Sequence, residues 1–362
     1  MRLDDLRTLY DDPGPFASCY LEVSRDQEAG DRVVELAVRT AGDDLAGQGA
    51  PGPVVDAVCS TLSRGTGQPA PISRCVVASA RGVLHDALVR ARHAHPVVRW
   101  GPLPDLAGWL TDASRSVRFV LALVDHEGAD VASYAADGID VVQDRSVGAP
   151  AGWEHKVRGG GWSHLNWQRS AETVWRENAT EAVAEIERQL GIGGPTLLVI
   201  AGDERSRGMV TERLPRLAVD AVVLDRAGRA VDGGDDALAA DVEEAVRGHV
   251  VERHLGLLHE LRERSGRGHA VALGVPEVTD AFVRGQVAHL LLDADDTHGR
   301  ELRPADHPGL VLGGADLPET VPADQALIAA SVLSGAEVDV VGPAGLSGEP
   351  AAALLRWDQE PT

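Results

Sequence analysis

The pattern of apolar and polar positions divides the chain into three sections. The clearest signal is the run Val117-Arg118-Phe119-Val120-Leu121-Ala122-Leu123-Val124-Asp125, almost wholly apolar. Such a run predicts a strand buried on both faces. His126-Glu127-Gly128 then reads as a turn, 129–134 as a second strand and 139–142 as a third. Further on, apolar residues stand at 167, 171, 174, 175, 179, 182, 183, 186 and 190. These spacings of three and four form one stripe of a long helix. Gly191-Ile192-Gly193-Gly194-Pro195 stops it. Residues 196–201 read as a strand, 204–214 as a helix, 219–224 as a strand and 236–264 as a helix. Antiparallel strands followed by alternating strands and helices predict an α/β middle domain.

Before it, the turn formers Asp12-Pro13-Gly14-Pro15 introduce a strand at 16–23, and a helical pattern follows through Val33, Val34, Leu36 and Ala37. Gly and Pro clusters at 48–53 and 66–71 separate further candidates, including a strand over Cys75-Val76-Val77-Ala78-Ser79. After it, Ser265-Gly266-Arg267-Gly268 reads as a linker. The last section alternates again: helix 276–284, strand 287–292, a short strand 309–312, helix 323–333, strand 338–341 and a closing strand 351–357. At 362 residues the chain exceeds one ordinary core. The fold class expected is α/β (α+β) in three domains, 1–115, 116–265 and 266–362.

Composition adds limits. Apolar content of 44% and charged content of 25% are those of a soluble globular protein. No apolar run is long enough to span a membrane, and the acidic N-terminus lacks the apolar core of a signal peptide. A cytoplasmic protein is expected. Cys19, Cys59 and Cys75 are odd in number and form no CxxC, which suits reduced core thiols and no metal site. The formal net charge of -22 repels phosphate from most of the surface.

One segment runs against that charge. Residues 155–169 carry Lys156, the sole lysine, with Arg158 and Arg169, and no acid. Three glycines, Gly159, Gly160 and Gly161, give the backbone left-handed conformations and close approach to another molecule. His155, Trp162, Ser163, His164 and Gln168 supply flat faces and hydrogen-bonding groups beside those cations. Four of the seven tryptophans (Trp153, Trp162, Trp167 and Trp175) fall in or near this segment. Trp167 and Trp175 lie on the helical stripe and are expected in the core, whereas Trp162 is expected at the tip. The plain alternative is a flexible surface loop between a strand and a helix. His155 and His164 have no carboxylate or cysteine at ligand spacing, so no metal is expected. A nuclease reading rests on Asp125 at a strand end with Asp130, Asp137, Asp140 and Asp144, set against ordinary strand-end and turn acids.

The order of these features resembles a known family. A strand with Tyr20-Leu21-Glu22-Val23 opens the chain, Gly160-Gly161-Trp162-Ser163 precedes a long helix, and Gly285-Gln286-Val287-Ala288-His289-Leu290-Leu291-Leu292 and Ser334-Gly335-Ala336-Glu337-Val338 mark the last section. This resembles the bacterial relatives of archaeo-eukaryotic peptide-chain release factors, in the actinobacterial branch related to Balon-type ribosome hibernation factors. The resemblance implies an RNase H-like middle domain and an L7Ae-like last domain. It further implies binding to the ribosomal A site, through 23S and 16S rRNA, with the first domain at the decoding centre. The middle-domain loop would lie at the peptidyl transferase centre. An elongation-factor GTPase is a further partner of the family; no cofactor, membrane or DNA is implied. Release factors hydrolyse peptidyl-tRNA with a Gly-Gly-Gln tip, and related bacterial chains carry Gly-Gly-Trp-Ser-Gln. Here His164 stands where that glutamine would. The expectation is therefore a non-enzymatic hibernation factor contacting RNA through His155, Lys156, Arg158, Gly159, Gly160, Gly161, Trp162, Ser163, His164, Gln168 and Arg169. The alternative is a peptidyl-tRNA hydrolase or rescue factor using the same loop, with His164 as its catalytic base.

Overall fold

The computed structural model describes residues 3–25, 30–67, 71–93, 96–135, 141–148, 163–192, 196–214, 219–225, 235–342, 345–346 and 348–357, with backbone alone at 4, 141–143, 163–176 and 235–236. They form a mixed α/β structure whose contacts divide into two compact units. One comprises Met1–Arg115 with Glu252–Thr362, the other Ser116–Val251.

The first unit begins with a 3-10 helix (Asp4–Asp11), followed by β1 (Phe16–Glu22), α1 (Gly30–Gly47), α2 (Gly52–Leu62), β2 (Ser73–Ser79), β3 (Gly82–Val89), β4 (Val97–Gly101) and α3 (Ala107–Ala113). Their sheet has the order β3-β2-β1-β4 and is antiparallel between all neighbours. Every residue of β2 is buried, and β1 is buried except at Glu22, as suits the two central strands. The Tyr20 hydroxyl donates to the Asp112 carboxylate at 2.9 Å, which fixes β1 to α3. His93 Nδ1 lies 2.8 Å from the same oxygen. Cys19 and Cys75 are buried beside this sheet and Cys59 is half-buried, all three free. Burial pushes the Cys19 thiol up to about 12 and raises Cys75 as well, so both stay protonated and inert at neutral pH.

The middle unit contains β5 (Phe119–Val124), β6 (Ala129–Tyr134), β7 (Val141–Val147), α4 (Ser163–Leu190), β8 (Leu197–Gly202), α5 (Glu204–Arg213) and β9 (Asp220–Val223), and α6 (Asp235–Arg267) begins in it. The sheet order is β7-β6-β5-β8-β9. The first three strands pair antiparallel, and β5–β8 and β8–β9 pair parallel. This agrees with the RNase H-like expectation. The apolar run of β5 has a direct cause. Val120, Ala122 and Val124 pack with Ala179, Ala182, Val183 and Ile186 of α4. Phe119 and Leu121 pack on the opposite face with Val242, Val246 and Val250 of α6. Period-two alternation thus sends each face of one strand to a different helix.

A buried polar network fixes α4 on this sheet. Gln189 donates to Val131 O at 2.8 Å and to Glu185 Oε1 at 2.9 Å, and accepts from Ser133 Oγ at 2.7 Å. Arg188 and Arg145 complete the surroundings of Glu185. The hydrogen bond from Arg188 holds that carboxyl below its ordinary range despite burial. Gln189→Ala strands the Ser133 hydroxyl and one Val131 carbonyl, so a loss of about 2 kcal/mol is expected. Denaturant unfolding followed by circular dichroism measures it.

The last section holds β10 (Val271–Leu273), α7 (Gly274–Val283), β11 (Val287–Leu292), α8 (Ala294–Thr297), β12 (Glu301–Leu302), β13 (Val321–Pro322), α9 (Ala323–Ser334), β14 (Glu337–Val340) and β15 (Ala351–Leu355). Its main sheet runs β10-β15-β11-β14, with β12 and β13 as a separate pair. The closing strand β15 therefore lies inside the sheet, and all five of its residues are buried. Phe16, Tyr20 and Leu110 of the first section join Leu290, Leu327 and Ala353 of the last in one hydrophobic cluster. Helix α9 is buried continuously from Ala323 to Val332, as expected for an element covered on all sides.

Two local readings from sequence are corrected. Residues 309–312 form no strand. Gly309 and Gly313 both have φ of +99°, which breaks an extended run, while Leu312 is still buried in the shared cluster. Ser265-Gly266-Arg267 is not a linker but the last turn of α6. Helix α6 stops one residue later, where Gly268 takes φ of +68° and His269 N–H closes on Arg264 O.

Candidate nucleic-acid interface

The expected RNA-contacting segment enters the described structure only at its end. His155, Lys156, Arg158, Gly159, Gly160, Gly161 and Trp162 lie outside the described residues. Ser163, His164, Gln168 and Arg169 belong to the first two turns of α4. His164 and Gln168 are one helical turn apart along it. Trp167 and Trp175 are also helical positions.

The geometry around this segment follows from α4. Among the described side chains of the helix, Asn178, Ala179, Ala182, Val183, Glu185, Ile186 and Gln189 are buried. At 1.5 Å per residue, Ser163 lies roughly 24 Å along the axis from Ala179. The buried stretch from Asn178 to Gln189 is thus separated along the axis from the end that follows the glycine segment. Upstream, the chain leaves the sheet from β7, and Gly148 pairs closely with the Gly128 turn of the β5–β6 hairpin. The segment therefore connects the edge strand β7 to the N-terminal end of α4, whose C-terminal part packs in the core.

The acids of the nuclease reading are placed differently. Asp125 Oδ1 accepts hydrogen bonds from the backbone N–H groups of Glu127 and Gly128 at 2.8 and 2.9 Å. Asp125 is thus a turn-forming residue of the β5–β6 hairpin. Asp130 pairs with Ser146, and Asp144 with Ala132, on adjacent strands. Asp137 and Asp140 lie outside the described residues. Among the described residues, no group of three or more His, Cys, Asp and Glu is arranged to hold a metal ion. No described helix is long and apolar enough to cross a membrane.

Comparison with known proteins bears on the same region. Residues 118–267 match the family model of bacterial archaeo-eukaryotic release factor family 2. This stretch is release-factor-like. The match contains β5–β9, the whole glycine segment and α4–α6. Two uncharacterized proteins of Mycobacterium tuberculosis are each 25% identical over 296 residues, covering 81% of this chain and 78% of their own. Among solved structures, ribosome-bound archaeal Pelota is 17% identical, covers 99% of this chain and 96% of its own, and has a TM-score of 0.40. A Saccharomyces cerevisiae translation termination-like factor is 8% identical, covers 80% of each chain and has a TM-score of 0.43.

One buried carboxylate cluster and two further buried acids escaped the sequence reading. Asp339 on β14 is fully buried and meets Arg253 and His254 of α6 and His289 of β11. Asp105, ahead of α3, and Asp324, at the start of α9, are each buried as well. The only signals for them in sequence are a histidine in an apolar strand and acids inside buried segments.

Proposed function

We propose that this protein is a ribosome hibernation factor. It enters the vacant A site, places Gly160-Gly161-Trp162-Ser163-His164 at the peptidyl transferase centre, blocks translation and protects idle ribosomes. The observation that carries this reading is the release-factor-like match over 118–267, because it contains the acid-free segment 155–169, in which the chain's sole lysine and two arginines flank three consecutive glycines. Lys156, Arg158 and Arg169 supply phosphate contacts, and Trp162 a face for base stacking. Contacts confined to one finger make affinity fall with salt, but less steeply than for a uniformly basic binder. The large- and small-subunit rRNA are the partners, in the cytoplasm, and an elongation-factor GTPase belongs to the same proposal.

His164 in place of a glutamine favours occupancy over hydrolysis, since no acid nearby in sequence orients its ring. The test is sedimentation with vacant bacterial ribosomes. The protein is expected to pellet with them and to be displaced by A-site tRNA. Failure to pellet at low salt overturns the proposal. Peptide release from stalled complexes, lost in His164→Ala, transfers the assignment to a peptidyl-tRNA hydrolase.

A further inference from the structure

The turn Gly285-Gln286, between α7 and β11, holds two arginines at the surface. Gln286 is buried, and its Oε1 accepts from Arg284 Nε at 2.6 Å. Arg284 caps the end of α7 and is exposed. Its two Nη groups have no partner among the described residues. The buried amide thus fixes one edge of the guanidinium and leaves its fork free. Arg356, just past β15, lies against the same turn. Its backbone N–H donates to Gln286 O at 2.7 Å. Its Nη1 donates to Gly285 O at 3.4 Å, and its Nη2 to Ser334 O at 3.2 Å and Gly335 O at 3.4 Å. Those carbonyls end α7 and α9, where a cation is favoured.

Neither guanidinium pairs with a carboxylate among the described residues. Arg264, Arg267 and Arg300 differ, since each pairs with an acid one helical turn before it. Trp357 follows Arg356 and is 53% exposed. Gly285 and Gly335 both have φ of +67°, and a side-chain carbon on either would meet nothing within 4 Å. The surface beside the two cations is therefore bare backbone, open to close approach.

We propose that Arg284, Arg356 and Trp357 form a docking surface for an acidic peptide segment of a partner protein. The free Arg284 fork takes one carboxylate through two parallel hydrogen bonds. Arg356, whose contacts to carbonyls leave its charge without a counter-ion, attracts a second. The indole covers an apolar side chain of the same segment. The carbonyls of Gly285, Ser334 and Gly335 decide between a peptide and a nucleic acid. Each has a second lone pair, which a peptide N–H can meet, whereas phosphates offer only acceptors. Two arginines also make too short a cationic track for a nucleic-acid strand in a chain of net charge -22. The surface belongs to the unit of Met1–Arg115 with Glu252–Thr362 and uses no residue of 155–169, so it is independent of the ribosomal reading.

The experiment follows the fluorescence anisotropy of a labelled peptide of alternating aspartate and leucine as the full chain is added at low salt. Binding is expected, weakening as salt rises. Arg284→Glu and Trp357→Ala should each weaken it roughly tenfold, the factor a charged bidentate contact or a buried indole supplies. Both side chains are exposed, so the melting temperature should not move. Arg284→Lys keeps the charge without the fork and should lose about threefold. Arg262→Glu, at an exposed position of α6, should leave binding within about twofold of the parent, as expected of a charge screened by salt. No anisotropy change at low salt overturns the proposal. Equal losses in Arg262→Glu and Arg284→Glu overturn it too, by reducing the effect to net charge. A labelled oligouridylate that binds more tightly than the peptide, and is released by Arg284→Glu, overturns it in favour of nucleic acid.

Discussion

Reversing Lys156 and Arg158 together to glutamate is expected to weaken ribosome binding roughly 100-fold, about 3 kcal/mol, with the melting temperature unchanged. Each charged hydrogen bond to phosphate contributes about 1.5 kcal/mol or more, and reversal adds repulsion to the loss. The effect should exceed that of reversing two arginines elsewhere, because most other cations of the described structure already face an acid. Arg264 and Arg267 pair with Glu260 and Glu263 on α6, and Arg300 pairs with Asp296. The salt dependence of binding should flatten in the reversed protein, by roughly one unit of log–log slope for each phosphate contact removed. Pelleting assays over a salt series measure both quantities. An unchanged affinity would assign docking to another surface.

The second large effect concerns stability. Asp339→Asn is expected to cost about 3 kcal/mol, because removing one member of a buried charge cluster leaves the others uncompensated. Asp339 lies within hydrogen-bond distance of His289 Nε2 at 2.5 Å and 3.3 Å from His254 Nε2, and Arg253 donates to it as well. These partners join α6, β11 and β14 around one carboxylate. Burial opposes ionisation of Asp339, but the hydrogen bonds from both histidines and the Arg253 charge overcome it and hold the carboxyl far below its ordinary range. A lowered carboxylate contributes stability at neutral pH that is lost as pH falls below the ordinary range. The parent should therefore lose stability on strong acidification, and Asp339→Asn should lose less.

How much the sequence discloses depends on whether the informative contacts are local. β5 is legible because burial on both faces leaves a continuous apolar run. The C-terminal half of α4 is legible for a related reason, since Ala179, Ala182, Val183 and Ile186 all face one sheet. β3 and β4 are missed because their positions are mostly half-buried and mixed in polarity, which blurs the period-two signal. Ser265-Gly266-Arg267 misleads because glycine in a helix end resembles a linker unless the packing of Leu261 is known. The cationic glycine segment is visible from composition alone. The Asp339 cluster is not, since Arg253 reaches its partner across 86 positions of sequence. No local pattern marks such a contact.

The central claim, a cationic finger reaching the catalytic centre of the large subunit, is tested most directly by cryo-EM of this protein on vacant bacterial ribosomes. Density for Gly160, Gly161 and Trp162 beside the peptidyl transferase centre, with the rest of the chain in the A site, is the predicted result. A bound protein whose glycine segment points to solvent, or no bound protein at low salt, would contradict it.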